Sequence, residues 1–151
     1  MKVYLASDHA GFKLKEEIKK HLQAKNFDIE DCGDFSEDQN DDYPLLIAKA
    51  AEKVSQDQSS FGIVFGKSGA GEEMVSNKFK NVRAVLGFSE ENVRLSREHN
   101  NANVLSLGSE FIDIAKAIVL VDLFLDTPFS NDPRHVRRID EIKEIEDKNY
   151  A

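Results

Sequence analysis

Short, nearly continuous apolar runs alternate along this chain with stretches whose apolar residues recur every three to four positions. The first run, Val3 to Ala6, reads as a strand. Behind it, Leu14, Ile18 and Leu22 in the segment Gly11–Lys25 share one helix face. Phe27–Asp31 predicts a second strand, weaker because it is half acidic. The polar run Asp34–Asp42 predicts a loop, and Pro44 suits the first turn of a helix from Tyr43 to about Gln56. Phe61–Phe65 is the third strand, with a helix from Gly71 to Lys78 after it. Arg83–Gly87 is the fourth, and Ser89, with Glu91 and Asn92 behind it, caps a helix ending near Asn100. Val104–Leu107 is the last strand and Ile112–Asp126 a long amphipathic helix. After Pro128 and Pro133, the basic-then-acidic segment Arg134–Asn149 predicts a terminal helix.

Apolar strands alternating with helices imply a parallel sheet covered on both faces. The fold expected is α/β: a single doubly wound, Rossmann-like domain spanning residues 1–151, with about five parallel strands. There is no internal repeat, linker or low-complexity tract. Ligands in such folds bind beyond the carboxyl ends of the strands. That directs attention to Ser7–Gly11, Gly66–Glu73, Gly87–Ser89 and Gly108–Glu110.

Composition narrows the classes. A chain of 151 residues is long enough to bury roughly 70% of its unfolded surface in one core. Its net charge of -8 argues against nucleic acid as the main partner, because phosphate backbones attract clustered Lys and Arg. A small phosphorylated ligand needs only a local group of cations. Cys32 is the only cysteine and cannot form an internal disulfide, which suits a reducing compartment. The longest apolar run, Ile112–Leu125, is interrupted by Asp113, Lys116 and Asp122, so no membrane span is expected. The chain enters its first strand without a signal-peptide pattern, and the expectation is a soluble cytoplasmic protein.

The strongest local signal is the third strand running into Gly66, Gly69 and Gly71, with Glu72 and Glu73 directly behind. A strand, a glycine turn and a helix start is where an α/β protein holds an anion or an oxyanion. Gly66-Lys67-Ser68 is not a P-loop, which needs a glycine where Phe61 stands. Acidic residues favour a first turn for dipole reasons alone. Adjacent carboxylates point about 100° apart, so only one of the two can face the turn. A carboxylate there would be kept ionised by the dipole and the nearby amides.

Asp8 and His9 follow the first strand at the ligand-binding edge, placed to hold sugar hydroxyls, although Asp8 could equally cap the next helix. His99, with Asn100 and Asn101, ends a helix, where a cationic His is favoured by the dipole. Arg134-His135-x-Arg137-Arg138 is the densest cation group in the chain. Two readings of it stand level: pairing with Asp140, Glu141 and Glu144, or phosphate binding by Arg134 and Arg138 on one helix face.

Together these segments resemble the type B ribose-5-phosphate isomerases, in the family that also contains the subunits of galactose-6-phosphate isomerase. The matching pieces are Ser7-Asp-His-Ala-Gly-Phe-x-Leu-Lys15, Asp42-Tyr-Pro44, Gly66-x-Ser-Gly-x-Gly71, Ser76-Asn-Lys78, Arg83-Ala84, Arg97-Glu-His-Asn-Asn-Ala102, Leu107-Gly108 and Arg134-His-x-Arg-Arg138. They occur in family order over nearly the whole chain.

The resemblance implies aldose–ketose isomerisation without metal or other cofactor. It also implies a homodimer, paired in some members into a tetramer, with each site built from two subunits and the C-terminal helix at the interface. One branch of the family uses a cysteine at the end of the third strand as base, a position read here as Phe65. The other branch uses a glutamate after the last glycine of the turn, which is Glu72. By the same matching, His99 of the partner subunit helps open the sugar ring, with Asp8 on the ring-oxygen side. Ser68 and the turn Gly66, Lys67, Gly69 and Gly71 hold the oxyanion. Asp8, His9, Tyr43 and Asn100 meet sugar hydroxyls, and Arg134, Arg138 and His135 meet the phosphate.

One departure stands out. After the fifth strand the family usually has Gly-x-Arg, whose arginine reaches the phosphate, and this chain has Gly108-Ser109-Glu110. Lys67 could restore the charge if its side chain reaches the pocket. The leading expectation is ribose 5-phosphate isomerisation. The alternatives are another aldose phosphate (allose, galactose or tetrose phosphate) and a non-catalytic sugar-phosphate-binding relative.

Overall fold

A computed structural model describes residues 1–150. In chain order the elements are β1 (Lys2–Ser7), α1 (Phe12–Ala24), β2 (Asp28–Asp31), α2 (Tyr43–Gln56), β3 (Phe61–Gly66) and α3 (Ala70–Ser76). They continue with β4 (Ala84–Leu86), α4 (Glu90–Asn100), β5 (Val104–Gly108), α5 (Ile114–Asp126) and α6 (Pro133–Asn149). All five strands join one parallel sheet in the order β2-β1-β3-β5-β4. This is the doubly wound α/β architecture expected from the sequence. From β1 the chain winds outward to β2, then returns past β1 to β3. The switch point therefore lies between the carboxyl ends of β1 and β3.

Side-chain alternation along the strands sorts the core into two layers. Val3, Leu5, Ile63, Phe65, Leu105 and Leu107 pack with apolar residues of α1, α4 and α5. Ala6, Val64 and Val104 face the opposite way, against Ile47, Ala50 and Val54 of α2. Each fully buried Leu, Ile or Phe contributes about 1.5–3 kcal/mol of apolar transfer.

The acidic second strand survives because it is an edge strand with cations on both neighbouring helices. Asp31 accepts from Lys15 Nζ (2.7 Å) and Lys19 Nζ (2.9 Å), and Glu30 accepts from Lys53 Nζ. Lys15 is wholly buried and also donates to the Asp34 carbonyl (2.6 Å), fixing the start of the loop to α2.

Several element ends differ from the sequence reading. β4 is shorter than Arg83–Gly87 because its outer backbone groups bond to α3 and its end rather than to another strand. Asn77 bonds both Ala84 N and Ala84 O, and Leu86 N–H donates to Glu73 Oε1 (3.0 Å). α5 begins at Ile114 because Asp113 caps it, accepting from Lys116 N–H at 2.8 Å. α6 begins at Pro133 behind the cap Asp132.

Candidate active site

Two turns meet at the switch point. The turn after β3 is stitched to the end of β5: Ser109 N–H donates to the Gly66 carbonyl (2.9 Å) and Glu110 N–H to the Lys67 carbonyl (3.0 Å). Gly69 caps α3 in the left-handed region (φ 83°), a conformation that favours glycine. Ser68 is exposed, and its Oγ accepts from the Ala70 N–H (3.2 Å). Tyr43, at the start of α2, lays its ring on Gly71, where a Cβ would come within 2.7 Å of the ring.

The two adjacent glutamates separate cleanly. Glu73 turns away to hold β4. Glu72 turns back over the turn and is only 4% exposed, with its carboxylate in the space that a Cβ at Gly66 would occupy. Burial pushes the Glu72 carboxyl above its ordinary value and the Asp8 charge adds to this; the amides of Glu72 itself and of Gly69 oppose it. Desolvation outweighs the amides, so the carboxyl titrates above its ordinary value rather than below it.

A correction concerns the end of β3. Phe65 is buried in the layer against α1 and α5, so its side chain points away from this pocket. The strand position that opens toward Glu72 is Gly66.

Asp8 and His9 lie across the switch point. Asp8 Oδ1 accepts from the Gly11 N–H (3.0 Å) in the turn before α1, but Gly11 is the N-cap and α1 has no side-chain cap, so Asp8 does not cap it. His9 is held by Asp41, a loop residue that the sequence reading did not single out. Asp41 accepts from the His9 main-chain N–H (2.8 Å) and contacts its ring Nδ1 (2.8 Å). The only sequence signal for it was its place beside the Asp42-Tyr43-Pro44 match. A cavity of about 440 Å³ is lined by Asp8, His9, Asp41, Asp42, Tyr43 and Leu45, among others.

The remaining candidates are at the other end of the sheet. α4 leaves the carboxyl edge after β4 and runs about 16 Å to the amino edge, so His99 and Asn100 lie far from Glu72 within one chain. Buried Arg97 anchors that end, donating to the carbonyls of Thr127 and Ala102 and lying over the rings of Phe61 and Phe124. His135, on α6, stacks 4.3 Å from His99 and bonds Ser130 Oγ through Nδ1 (2.8 Å). Burial and the nearby His99 hold His135 below its usual value, and its buried ring lies against the exposed ring of His99. Arg134 and Arg138 are exposed. Among the described residues no nitrogen of Arg137 or Arg138 pairs with a carboxylate, and Arg134 reaches only Asp132 at 4.0 Å. Among the described residues the pairing with Asp140, Glu141 and Glu144 is absent.

Residues 3–142 match the family model described as Ribose/Galactose Isomerase. The chain belongs to that family. It is 46% identical over 151 residues to ribose-5-phosphate isomerase B of Mycolicibacterium paratuberculosis, covering 100% of this chain and 95% of that one. It is 33% identical to the Escherichia coli ribose-5-phosphate isomerase B, covering 97% of each chain. Its fold superposes with a TM-score of 0.93 on the Mycoplasma genitalium ribose-5-phosphate isomerase B with bound ribulose-5-phosphate, at 41% identity over 97% of this chain and 96% of that one.

In this member of the ribose/galactose isomerase family, Cys32 supplies no nucleophile near neutral pH, because burial pushes its thiol up to about 11. Asp8, His9 and Asp41 place one donor atom each within 4.8 Å of one another, close enough for a cation. Both Asp41 oxygens are already engaged by His9, so a cation would displace that contact. Lys67 and Glu110 are exposed neighbours with no ion pair to each other among the described residues. No helix among the described residues is long and apolar enough to cross a membrane.

Proposed function

We propose that this protein interconverts ribose 5-phosphate and ribulose 5-phosphate, by the glutamate route rather than the cysteine route. The observation that carries the reading is the Glu72 carboxylate, desolvated over Gly66 at the switch point of a chain similar over its full length to ribose-5-phosphate isomerases B. Glu72 takes the proton from C2 of the open-chain aldose. The C2–H electron pair becomes the C1=C2 bond, and the carbonyl electrons move onto O1. The enediolate is held by Ser68 and by main-chain amides of the turn Gly66–Gly71, with Lys67 at its rim. The O2 hydroxyl proton passes to O1, the O2 electrons close the C2=O2 bond, and the C1=C2 pair takes the proton back from Glu72 at C1, which gives the ketose. A carboxyl raised by burial is a stronger base once ionised, which suits this transfer.

In this reading the active unit is a homodimer in the cytoplasm, and no metal or other cofactor enters the reaction. Asp8, His9 and Tyr43 of one subunit bind the sugar beside Glu72. His99 and Asn100 of the partner subunit complete the site, with the partner's Arg134 and Arg138 on the phosphate. The distance between the two groups within one chain supports this, since neither makes a full site alone. Exposed Val136, Ile142 and Ile145 on α6 support that helix as interface. His135 then acts through His99, from beneath it.

Assaying ribose 5-phosphate beside allose, galactose and tetrose phosphates tests the reading. The highest kcat/KM is expected on ribose 5-phosphate. A higher value on another sugar overturns the substrate, and binding without turnover overturns the enzyme reading.

Glu110 gives a separate prediction. Exchanging it for arginine replaces an anion at the rim by a cation. Glu110→Arg is expected to lower KM for phosphorylated sugars roughly fivefold, the worth of about 1 kcal/mol for a partly exposed charge pair. An unchanged KM would place Glu110 off the pocket.

A further inference from the structure

The established family likeness leaves the Asp34–Asp42 loop without a task, yet its last turn carries a two-point side-chain contact at the pocket. The loop is tied down at both ends. Lys15 holds the Asp34 carbonyl, Asp34 N–H donates to the Ser7 carbonyl (2.8 Å), and Asp42 leads straight into α2. Within it Asp41 N–H donates to the Asp38 carbonyl (3.2 Å), which turns the Asp41 side chain inward. That side chain is 8% exposed, whereas the His9 side chain is 37% exposed.

We propose that Asp41 is a positioning residue for the sugar-binding side of the site: one carboxylate oxygen takes the His9 main-chain N–H, the other takes Nδ1–H, and Nε2 is left as the only ring atom free for substrate. The proposal rests on the reading of His9 as a substrate contact. An imidazole on its own rotates about two side-chain bonds and exchanges tautomers. A carboxylate that grips both the backbone and Nδ1 of the same residue removes both freedoms. With the proton on Nδ1, neutral His9 offers the Nε2 lone pair to a sugar hydroxyl. Once protonated, it offers Nε2–H to a hydroxyl oxygen.

Acidic groups face His9 from more than one element. Asp8 comes from the β1 turn, Asp38 and Asp41 from the loop, and Asp42 and Tyr43 line the same cavity from the start of α2. The Asp41 hydrogen bond holds the His9 imidazole above its usual range; desolvation opposes this, and the charges of Asp41, Asp8 and Asp38 add to it. The sign is fixed by that direction. Protonated His9 persists to higher pH than a free histidine, and removing the Asp41 charge brings its titration down.

The test is Asp41→Asn, read first without substrate. With histidines labelled by nitrogen-15, and the His9 signals assigned by their loss in His9→Gln, the wild-type ring should titrate above free histidine and be Nδ1-protonated when neutral. Asp41→Asn should lower the midpoint and move the neutral ring toward the Nε2–H tautomer. KM for ribose 5-phosphate should rise roughly tenfold, with a smaller change in kcat and a shifted pH profile of KM, as for loss of a charge-assisted hydrogen bond. Asp41→Glu, which keeps the charge on a longer arm, should recover part of the midpoint, and it carries the titration test if the asparagine variant does not fold. An unchanged midpoint and tautomer in Asp41→Asn overturns the proposal at its geometric step. A shifted midpoint with KM unchanged in both Asp41→Asn and His9→Gln overturns it at the underlying reading of His9.

Discussion

Glu72→Gln is expected to lower turnover roughly 10²- to 10⁴-fold, the usual worth of a positioned general base, while leaving the affinity for sugar phosphate nearly intact. Glutamine keeps the volume and a hydrogen-bonding carbonyl but cannot accept the C2 proton. The same substitution should raise the melting temperature at neutral pH. Glu72 is buried, and its carboxyl is raised in the folded chain. The folded state therefore holds its proton to higher pH than the unfolded state does. Stability is lost as pH rises between the two values, and above them the folded protein carries the full cost of a desolvated charge. Glutamine carries no such cost. The difference in melting temperature should vanish at pH values low enough to protonate Glu72 in both states. In the wild type, the acidic limb of kcat should lie above the ordinary carboxylate range. A variant that keeps wild-type turnover would remove Glu72 as the base.

Mixing two inactive chains should restore activity. Glu72→Gln keeps His99, and His99→Ala keeps Glu72. If each site takes Glu72 from one subunit and His99 from the other, a mixed dimer holds one intact site and one doubly defective site. Unfolding and refolding an equimolar mixture should then recover about a quarter of wild-type turnover, since about half of randomly paired dimers are mixed and each has one working site. Each variant refolded alone should stay near its own low level. No recovery, with dimers shown to have exchanged subunits, would mean that Glu72 and His99 do not act in one shared site.

Much of this arrangement was legible in the residues, and the exceptions have physical causes. β1, β3 and β5 announce themselves because strands buried on both faces must be apolar almost throughout. β2 and β4 read poorly because they are edges. One is balanced by lysines on α1 and α2, the other is finished by Glu73 and Asn77. The pairing of β4 with β5 at the far edge leaves no local trace, since sheet order is set by how whole layers pack. Periodicity limited the glutamates to one inward residue, but only the Leu86 amide shows what occupies the other. Reading the strand as ending at Phe65 put the catalytic comparison one residue early, because a single step along a strand reverses the side chain. Asp41 escaped notice for a different reason. An aspartate in a polar loop reads as solvated until tertiary contacts bring a histidine against it.

Gly66 and Glu72 claim one volume, and that makes them a single choice rather than two independent ones. A side chain added at 66 while Glu72 remains would have to displace the carboxylate. With Glu72 as the proposed base, emptying position 72 while 66 is still glycine leaves the pocket without it. A lineage that relocates the proton-transfer group from helix to strand must therefore cross a defective intermediate or change both positions together. Under the proposed glutamate mechanism, a helix-borne and a strand-borne base are then separated by a valley in sequence space two substitutions wide.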